Sequence, residues 1–254
     1  MHFTRAITRR PGENFDRGIT TVQWDRPPRY ERILFQHAAY VAVLESLGLE
    51  VTVLPPAPDF PDAYFVEDTA VMLPGLAVLT RPGEPARRGE VAAMAPVLEG
   101  FGPVAAVQAP GLLDGGDVMQ VENHLFIGLS RRTDMDGARQ LGALAEARGL
   151  TWSTVPVAAA LHLKTGVNFV GDGTLLLFEA YHDHPDFAGY RRIVVPPEEA
   201  PAANSLLVNG TLLVPAGFAR TRAALATLGR PVVELDMSEA DLMDGGLSCL
   251  SLRL

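Results

Sequence analysis

Cys249 and His162 are the side chains of this chain that first suggest covalent chemistry. Cys249 ends the segment Leu-Met-Asp-Gly-Gly-Leu-Ser-Cys at 242–249 and is the only cysteine among 254 residues. His162 lies far upstream in Leu161-His162-Leu163, which reads as the start of a strand. A thiolate is a strong nucleophile, and an imidazole that titrates near neutrality can move protons for it. A lone cysteine with a distant histidine therefore reads as a nucleophile with its acid/base partner. The competing reading is a buried thiol that packs as a small hydrophobe.

Further polar clusters each precede an apolar strand. Phe65-Val66-Glu67-Asp68-Thr69 opens one hairpin, Asp114-Gly115-Gly116-Asp117 a second, and Leu161-His162-Leu163-Lys164 a third, while Asp244-Gly245-Gly246 leads to Cys249. One such cluster is an ordinary solvated turn. Carboxylates, a histidine and a cysteine in matched places of different hairpins are harder to explain by turns alone.

The elements that would position these groups recur along the chain. Residues 70–80 read as two strands around Pro74-Gly75, followed by a helix near 90–101 and a strand near 104–107. The order returns in a hairpin at 117–129 turning at Glu122-Asn123, a helix near 136–148 capped by Gly149, and a strand at 151–155. Two more hairpins turn at Asp172-Gly173 and Asn209-Gly210, the latter dipeptide being the strongest short hairpin signal. A helix near 219–228 and the strand Pro231–Leu235 follow. The N-terminal part supplies a helix near 30–47, Gly48 and a strand from Glu50. ββαβ units of this size cannot each bury their own apolar faces, so they must pack on one another. Four clear units and one split between the termini predict a single domain, 1–254, of about five units arranged around a centre and closed like a propeller with few exposed strand edges, the alternative being an ordinary α/β sheet in which hairpins recur.

Composition narrows the function. Hydrophobic residues make up 48% of the chain, enough for a substantial core, and no apolar run approaches the roughly 18 residues a membrane helix needs. A cytoplasmic location, with no membrane partner, is expected. One cysteine excludes an intramolecular disulfide and cysteine-rich metal sites. The formal net charge of −9, with no basic run, argues against nucleic acid and suits a cationic substrate. His182-Asp183-His184 offers two potential metal ligands, but the Pro and Asp that follow suggest a polar loop, and no third ligand is evident. No metal or cofactor is expected. Thr133-Asp134 reads as the start and cap of the helix after it. The stretch Arg10–Pro28, rich in Gly, Arg and Asp, is the candidate lid.

Phe-Val-Glu-Asp-Thr at 65–69, Leu-Thr-Arg-Pro-Gly-Glu-Pro-Ala-Arg-Arg at 79–88, Asp-Gly-Gly-Asp-Val at 114–118, Gly-Leu-Ser-Arg-Arg-Thr at 128–133, Leu-His-Leu-Lys-Thr at 161–165 and the terminal Ser-Cys resemble the dimethylarginine dimethylaminohydrolase family of guanidino-modifying enzymes. The resemblance runs from about residue 30 to the end, with motifs in the family's order. It implies the five-bladed α/β propeller (pentein) fold with pseudo-fivefold symmetry. It also implies hydrolysis of an Nω-methylated arginine to citrulline and a methylamine through a covalent thiouronium on Cys249.

Chemistry gives the implied residues their tasks. A guanidinium is a planar, delocalised cation that must be held by carboxylates while a soft nucleophile meets its central carbon. Cys249 suits the nucleophile, His162 the proton carrier, and Asp114 the acid of the triad. Asp68 and Asp114 are expected to touch the guanidinium, with Glu67 beside them. Arg87 and Arg132 would grip the substrate α-carboxylate, Asp62 the α-ammonium, and Phe65 would form an apolar wall. From residue types alone, both arginines read as solvated loop residues, since each sits beside another Arg (Arg88, Arg131), and Asp117, Lys164 and Asp244 remain open between catalytic and structural roles. The partner is thus a small cationic guanidino amino acid; a homodimer is compatible with this reading. Deimination of arginine uses the same residues, but His162 lacks the Asp two places on, and the chain lacks the added helical segment, of bacterial arginine deiminases. Amidinotransfer, and a non-enzymatic binding role on the same fold, stay open as well.

Overall fold

Each hairpin expected from the sequence is present in the computed structural model, which describes residues 2–157 and 160–254. Contacts gather the chain into two units, one of Val66–Lys164 and one of the residues up to Phe65 with Thr165–Leu254.

The Val66–Lys164 unit holds two three-stranded sheets. In the first, Ala70–Leu73 and Leu76–Leu79 pair antiparallel, helix Arg88–Glu99 follows, and Val104–Ala106 returns parallel to the middle strand. In the second, Val118–Val121 and His124–Leu129 form the hairpin, Met135–Glu146 is the helix, and Thr151–Pro156 closes the sheet in parallel. The turn at Glu122 adopts φ 52°. Asp134 caps the second helix as expected, accepting the Gly137 N–H at 2.8 Å. The buried positions of that helix, Gly137, Ala138, Leu141, Gly142 and Ala145, follow a three-to-four-residue spacing. Gly142 has no room for more, since a Cβ there would stand 2.2 Å from the Trp152 ring.

The other unit holds three sheets. Val167–Gly171, Thr174–Leu177 and Arg191–Val194 form one, with short 3₁₀ turns in place of a crossover helix. Leu206–Val208, Thr211–Pro215 and Val232–Leu235 form the next, with helix Ala219–Ala226. The fifth is split between the termini as expected: Leu252–Arg253 pairs antiparallel with Arg5–Arg9, helix Tyr30–Ser46 intervenes, and Glu50–Leu54 runs parallel. Asp172-Gly173 and Asn209-Gly210 take positive φ throughout, as tight two-residue turns require.

A shared physical pattern explains the sheets. Thr174–Leu177 and Thr211–Pro215, middle strands of their sheets, are buried at every residue, and a strand covered on both faces reads as a continuous apolar run. The five repeating units predicted for the α/β propeller class are thus present, one sheet each. One expectation fails locally. Leu161-His162-Leu163 does not start a strand; His162 lies in a bend before the four-residue helix Leu163–Gly166. Polar anchoring overrides the apolar alternation there, because Asp117 accepts the Leu163 N–H at 2.9 Å.

Leu141 is fully buried among Val71, Leu113, Leu125 and Ile127. Truncating it to alanine removes apolar contact and leaves a cavity, so Leu141→Ala is expected to lower stability by about 2–5 kcal/mol in urea unfolding.

Candidate active site

In the Val66–Lys164 unit, short 3₁₀ turns place a set of buried charges. Glu67 and Asp68 lie in the turn Val66–Thr69, both 3% exposed. Arg87 ends the turn Pro85–Arg87 and is buried rather than solvated. Its guanidinium donates through Nε and Nη2 to the two Glu90 oxygens, at 3.0 and 2.8 Å, and through Nη1 to Asp68 Oδ2 at 2.5 Å. This is the fork geometry that arginine offers a carboxylate. The other Asp68 oxygen accepts the Gly116 N–H at 2.9 Å.

His162 completes the cluster. Its Nε2 lies 3.0 Å from Asp114 Oδ2, and its Nδ1 lies 3.9 Å from Asp68 Oδ1. Asp114 is fully buried, and its second oxygen accepts the Gly83 N–H at 2.9 Å. Both Asp114 oxygens are thus engaged by its own unit. That suits orientation of the imidazole, not the direct guanidinium contact also expected of it. A carboxylate accepts, so a proton on Nε2 serves the Asp114 bond while Nδ1 faces Asp68 Oδ1. Gly116 must lack a side chain, because a Cβ would stand 2.7 Å from His162 Nδ1 and 2.8 Å from Asp68 Oδ1.

Burial alone would strip His162 of its proton. The Asp68 field, the Asp114 hydrogen bond and the nearby Asp117 outweigh that cost and raise its pKa from 6.5 to about 9. For Asp68, burial works upward, but His162, Arg87 and the Gly116 N–H prevail and bring the carboxyl down to about 2. Asp117 goes the other way: burial raises it, against His162, Ser130, Thr133 and the Leu163 N–H. It accepts from Ser130 Oγ at 2.6 Å and from Leu163 N at 2.9 Å, so it anchors the segment that carries His162. Lys164 donates to Glu67 at 2.7 Å, largely buried, so it is no surface residue. Arg132 is half-buried and has no ion pair among the described residues; the Gly83 backbone packs on its own backbone.

Asp68, Asp114 and His162 bring three potential ligand atoms within 4.8 Å of one another. Arg87 and two backbone N–H groups already donate to these carboxylates, and a protonated imidazole repels a metal, so the set fits hydrogen bonding better. His182-Asp183-His184 is the polar loop expected: His182 bonds to Asp183, and His184 accepts the Asp186 N–H.

The other unit carries the thiol. Cys249 lies half-buried in the turn Ser248–Leu250. The Gly246 N–H faces its sulfur at 3.5 Å. Phe65 is buried, stacks on Tyr64 at 4.0 Å between ring centroids, and covers Gly245, whose Cβ would meet the ring at 2.2 Å. Asp62 is buried and accepts the Ile19 N–H on both oxygens at 3.1 Å. Asp244 accepts the Thr21 N–H at 2.5 Å and the Thr20 hydroxyl at 3.2 Å, which identifies it as an anchor for the 10–28 stretch. Trp24 adds a hydrogen bond to the Leu242 carbonyl at 2.8 Å.

Sequence reasoning missed Glu90, Ser130, Gly83 and Asn204. Glu90 had a signal, since it stands three residues after Arg87, one helical turn on. Gly83 acts through its backbone amide, for which side-chain type gives no sign.

No family model matches the chain. It is 40% identical over 253 residues to the Pseudomonas aeruginosa protein named N(G),N(G)-dimethylarginine dimethylaminohydrolase, covering 99% of each. A Streptomyces coelicolor protein of the same name is 36% identical over 255 residues, covering 100% of this chain and 98% of the relative. A solved structure of the Pseudomonas aeruginosa DDAH, a cysteine-to-serine mutant complexed with citrulline, is 39% identical with a TM-score of 0.97 over 100% of both chains.

The raised His162 pKa has a consequence for stability. The folded protein holds this proton more tightly than the unfolded chain, so the stabilisation is complete below pH 6.5 and is lost as pH rises through about 9. Thermal melts of the wild type are expected to lose on the order of 3 kcal/mol across that window, and His162→Gln to lose clearly less. Parallel curves for the two proteins would show that His162 is not charged in the folded state.

Proposed function

The chain belongs to the dimethylarginine dimethylaminohydrolase family, with the family's five-unit α/β propeller fold, and from that premise we propose that it hydrolyses an Nω-methylated L-arginine to L-citrulline and a methylamine, residues 1–254 serving as one catalytic domain. The observation that carries the reading is the buried His162 held between Asp114 and Asp68, a proton carrier kept charged until it is used. In that unit Glu67, Asp68, Glu90 and Asp114 outnumber the cations Arg87, His162 and Lys164. The residual negative charge suits a guanidinium.

The reaction assigns each group a task. The Cys249 thiolate adds to the central guanidinium carbon. His162 gives its Nδ1 proton to the departing dimethylamine or methylamine as the C–N bond breaks, leaving an S-alkylthiouronium. Water then adds to the same carbon, His162 takes back one of its protons, and the C–S bond breaks to return the thiolate and release the ureido product, the second proton going to the released amine. Asp114 holds the imidazole and supports its charge. Asp68 and Glu67 face the guanidinium; Arg132 and Arg87 bind the α-carboxylate, Arg87 keeping its clamp on Asp68 and Glu90; Asp62 receives the α-ammonium; Phe65 forms the apolar wall. Among the described residues no helix is long and apolar enough to cross a membrane, and a cytoplasmic location goes with this small-molecule chemistry.

The test is formation of a ureido product by purified protein given asymmetric dimethylarginine, monomethylarginine, arginine or agmatine in parallel. Turnover of the methylated arginines, lost in Cys249→Ser, is expected. Turnover of arginine or agmatine alone would keep the covalent chemistry and change the substrate, and turnover surviving in Cys249→Ser would remove the nucleophile assignment. The 10–28 stretch serves as the lid in this reading, so methylarginine is expected to slow limited proteolysis within it; cleavage at an unchanged rate counts against that role.

A further inference from the structure

The nucleophile segment is gripped by one amide. Asn204 directly follows the turn Pro197–Ala203 and is 5% exposed. Its Oδ1 accepts the Ser248 N–H at 2.8 Å, and its Nδ2 donates to the Ser248 hydroxyl at 3.1 Å. Gly246 presses against the same amide, where a Cβ would stand 2.4 Å from Asn204 Cγ. The Gly246 N–H is the one that faces the Cys249 sulfur. Asn204 therefore touches both the residue before the cysteine and the residue whose amide meets the thiol.

Beside this contact lies open space. Gly245, Gly246 and Asn204 line a cavity of about 280 Å³ whose walls combine apolar residues such as Phe178 and Phe218 with Asp236, Asp241 and Asp244. Phe65 covers Gly245, whose N–H donates to the Ala240 carbonyl at 2.9 Å, and the buried two-point hydrogen bond from Asn204 is the side-chain constraint on the Gly246–Ser248 part of the turn. A backbone N–H aimed at sulfur favours the thiolate over the thiol, since the charged form accepts the stronger bond. Its effect depends on distance and angle, which a shift of the turn would spoil.

We propose that Asn204 is a positioning residue for Cys249, holding Ser248 and Gly246 so that the Gly246 N–H stays on the sulfur and increases the reactivity of the thiol. The catalytic meaning of this inference rests on Cys249 being the nucleophile; the effect on thiol reactivity does not.

Because the chain has one cysteine, iodoacetamide reports on Cys249 alone. Alkylation rates are to be measured from about pH 5 to about pH 10 for the wild type, Asn204→Ala, Gly246→Ala and the double variant, each first checked for folding by circular dichroism. Asn204→Ala is expected to move the alkylation profile to higher pH, to slow alkylation about ten-fold at neutral pH, and to lower kcat by a similar factor with KM changed less than about three-fold. Gly246→Ala should do the same by driving the amide away, and it carries the test alone if Asn204→Ala does not fold. The double variant should be no worse than the worse single one, because both substitutions act by displacing the same amide. An alkylation profile within about two-fold of wild type in the folded variants, or losses that add in the double variant, would overturn the proposal. Turnover retained by Cys249→Ser would instead remove the nucleophile reading and leave the alkylation result to judge Asn204 by itself.

Discussion

Burying an imidazolium is the constraint on which the Val66–Lys164 unit is organised. A charge removed from water persists only if opposite charge and hydrogen bonds replace its hydration. His162 obtains both from Asp114 and Asp68, and these carboxylates in turn require donors. Gly83 supplies one for Asp114; Gly116 and Arg87 supply them for Asp68; Glu90 balances the arginine. The need propagates outward from one ring through two carboxylates to these neighbours, and each sits in a short turn next to a strand or at the start of a helix. The sheets underneath are rigid supports for these turns.

Close approach is the second demand. Gly115 and Gly116 lie where any Cβ would strike the Glu67 carbonyl, at 2.0 Å, or His162 Nδ1, at 2.7 Å. The Asp-Gly-Gly-Asp sequence is thus two functional carboxylates joined by the only residue type that lets the backbone pass so near its neighbours. Asp114 orients the histidine, while Asp117 anchors the bend that delivers it, and the rising pKa of Asp117 on burial marks the cost of that anchoring.

The unit that carries Cys249 meets a different problem, which is to keep a flexible turn in one place. Asp244-Gly245-Gly246 shares Asp-Gly-Gly with the other acidic turn but answers it otherwise: Phe65 covers Gly245, Asn204 meets Gly246, and Asp244 turns away to accept from Thr20 and Thr21. Similar local sequences at 114–117 and 244–246 therefore do different work, because the donors around them differ.

Most strands and helices were legible in the chain, since hairpins advertise themselves through Asn-Gly and Asp-Gly turns and helices through apolar spacing, both local signals, whereas the strands Arg5–Arg9, Arg191–Val194 and Leu252–Arg253 were not read from it. The split fifth sheet followed from counting units. The candidate residues were legible through residue type and through resemblance. What tertiary structure decided was who partners whom. By residue type Arg87 reads as a solvated loop residue until Asp68 and Glu90 are seen on it, and Lys164 stays open between surface and site until Glu67 is seen. His162 left its expected strand because Asp117, 46 residues before Leu163, claims the Leu163 N–H. Asn204 and Gly83 gave no sign at all, one an ordinary amide and the other a backbone donor. Residue type sets what a side chain can do in water; burial and long-range hydrogen bonds set which of those things it does, and neither is written in local sequence.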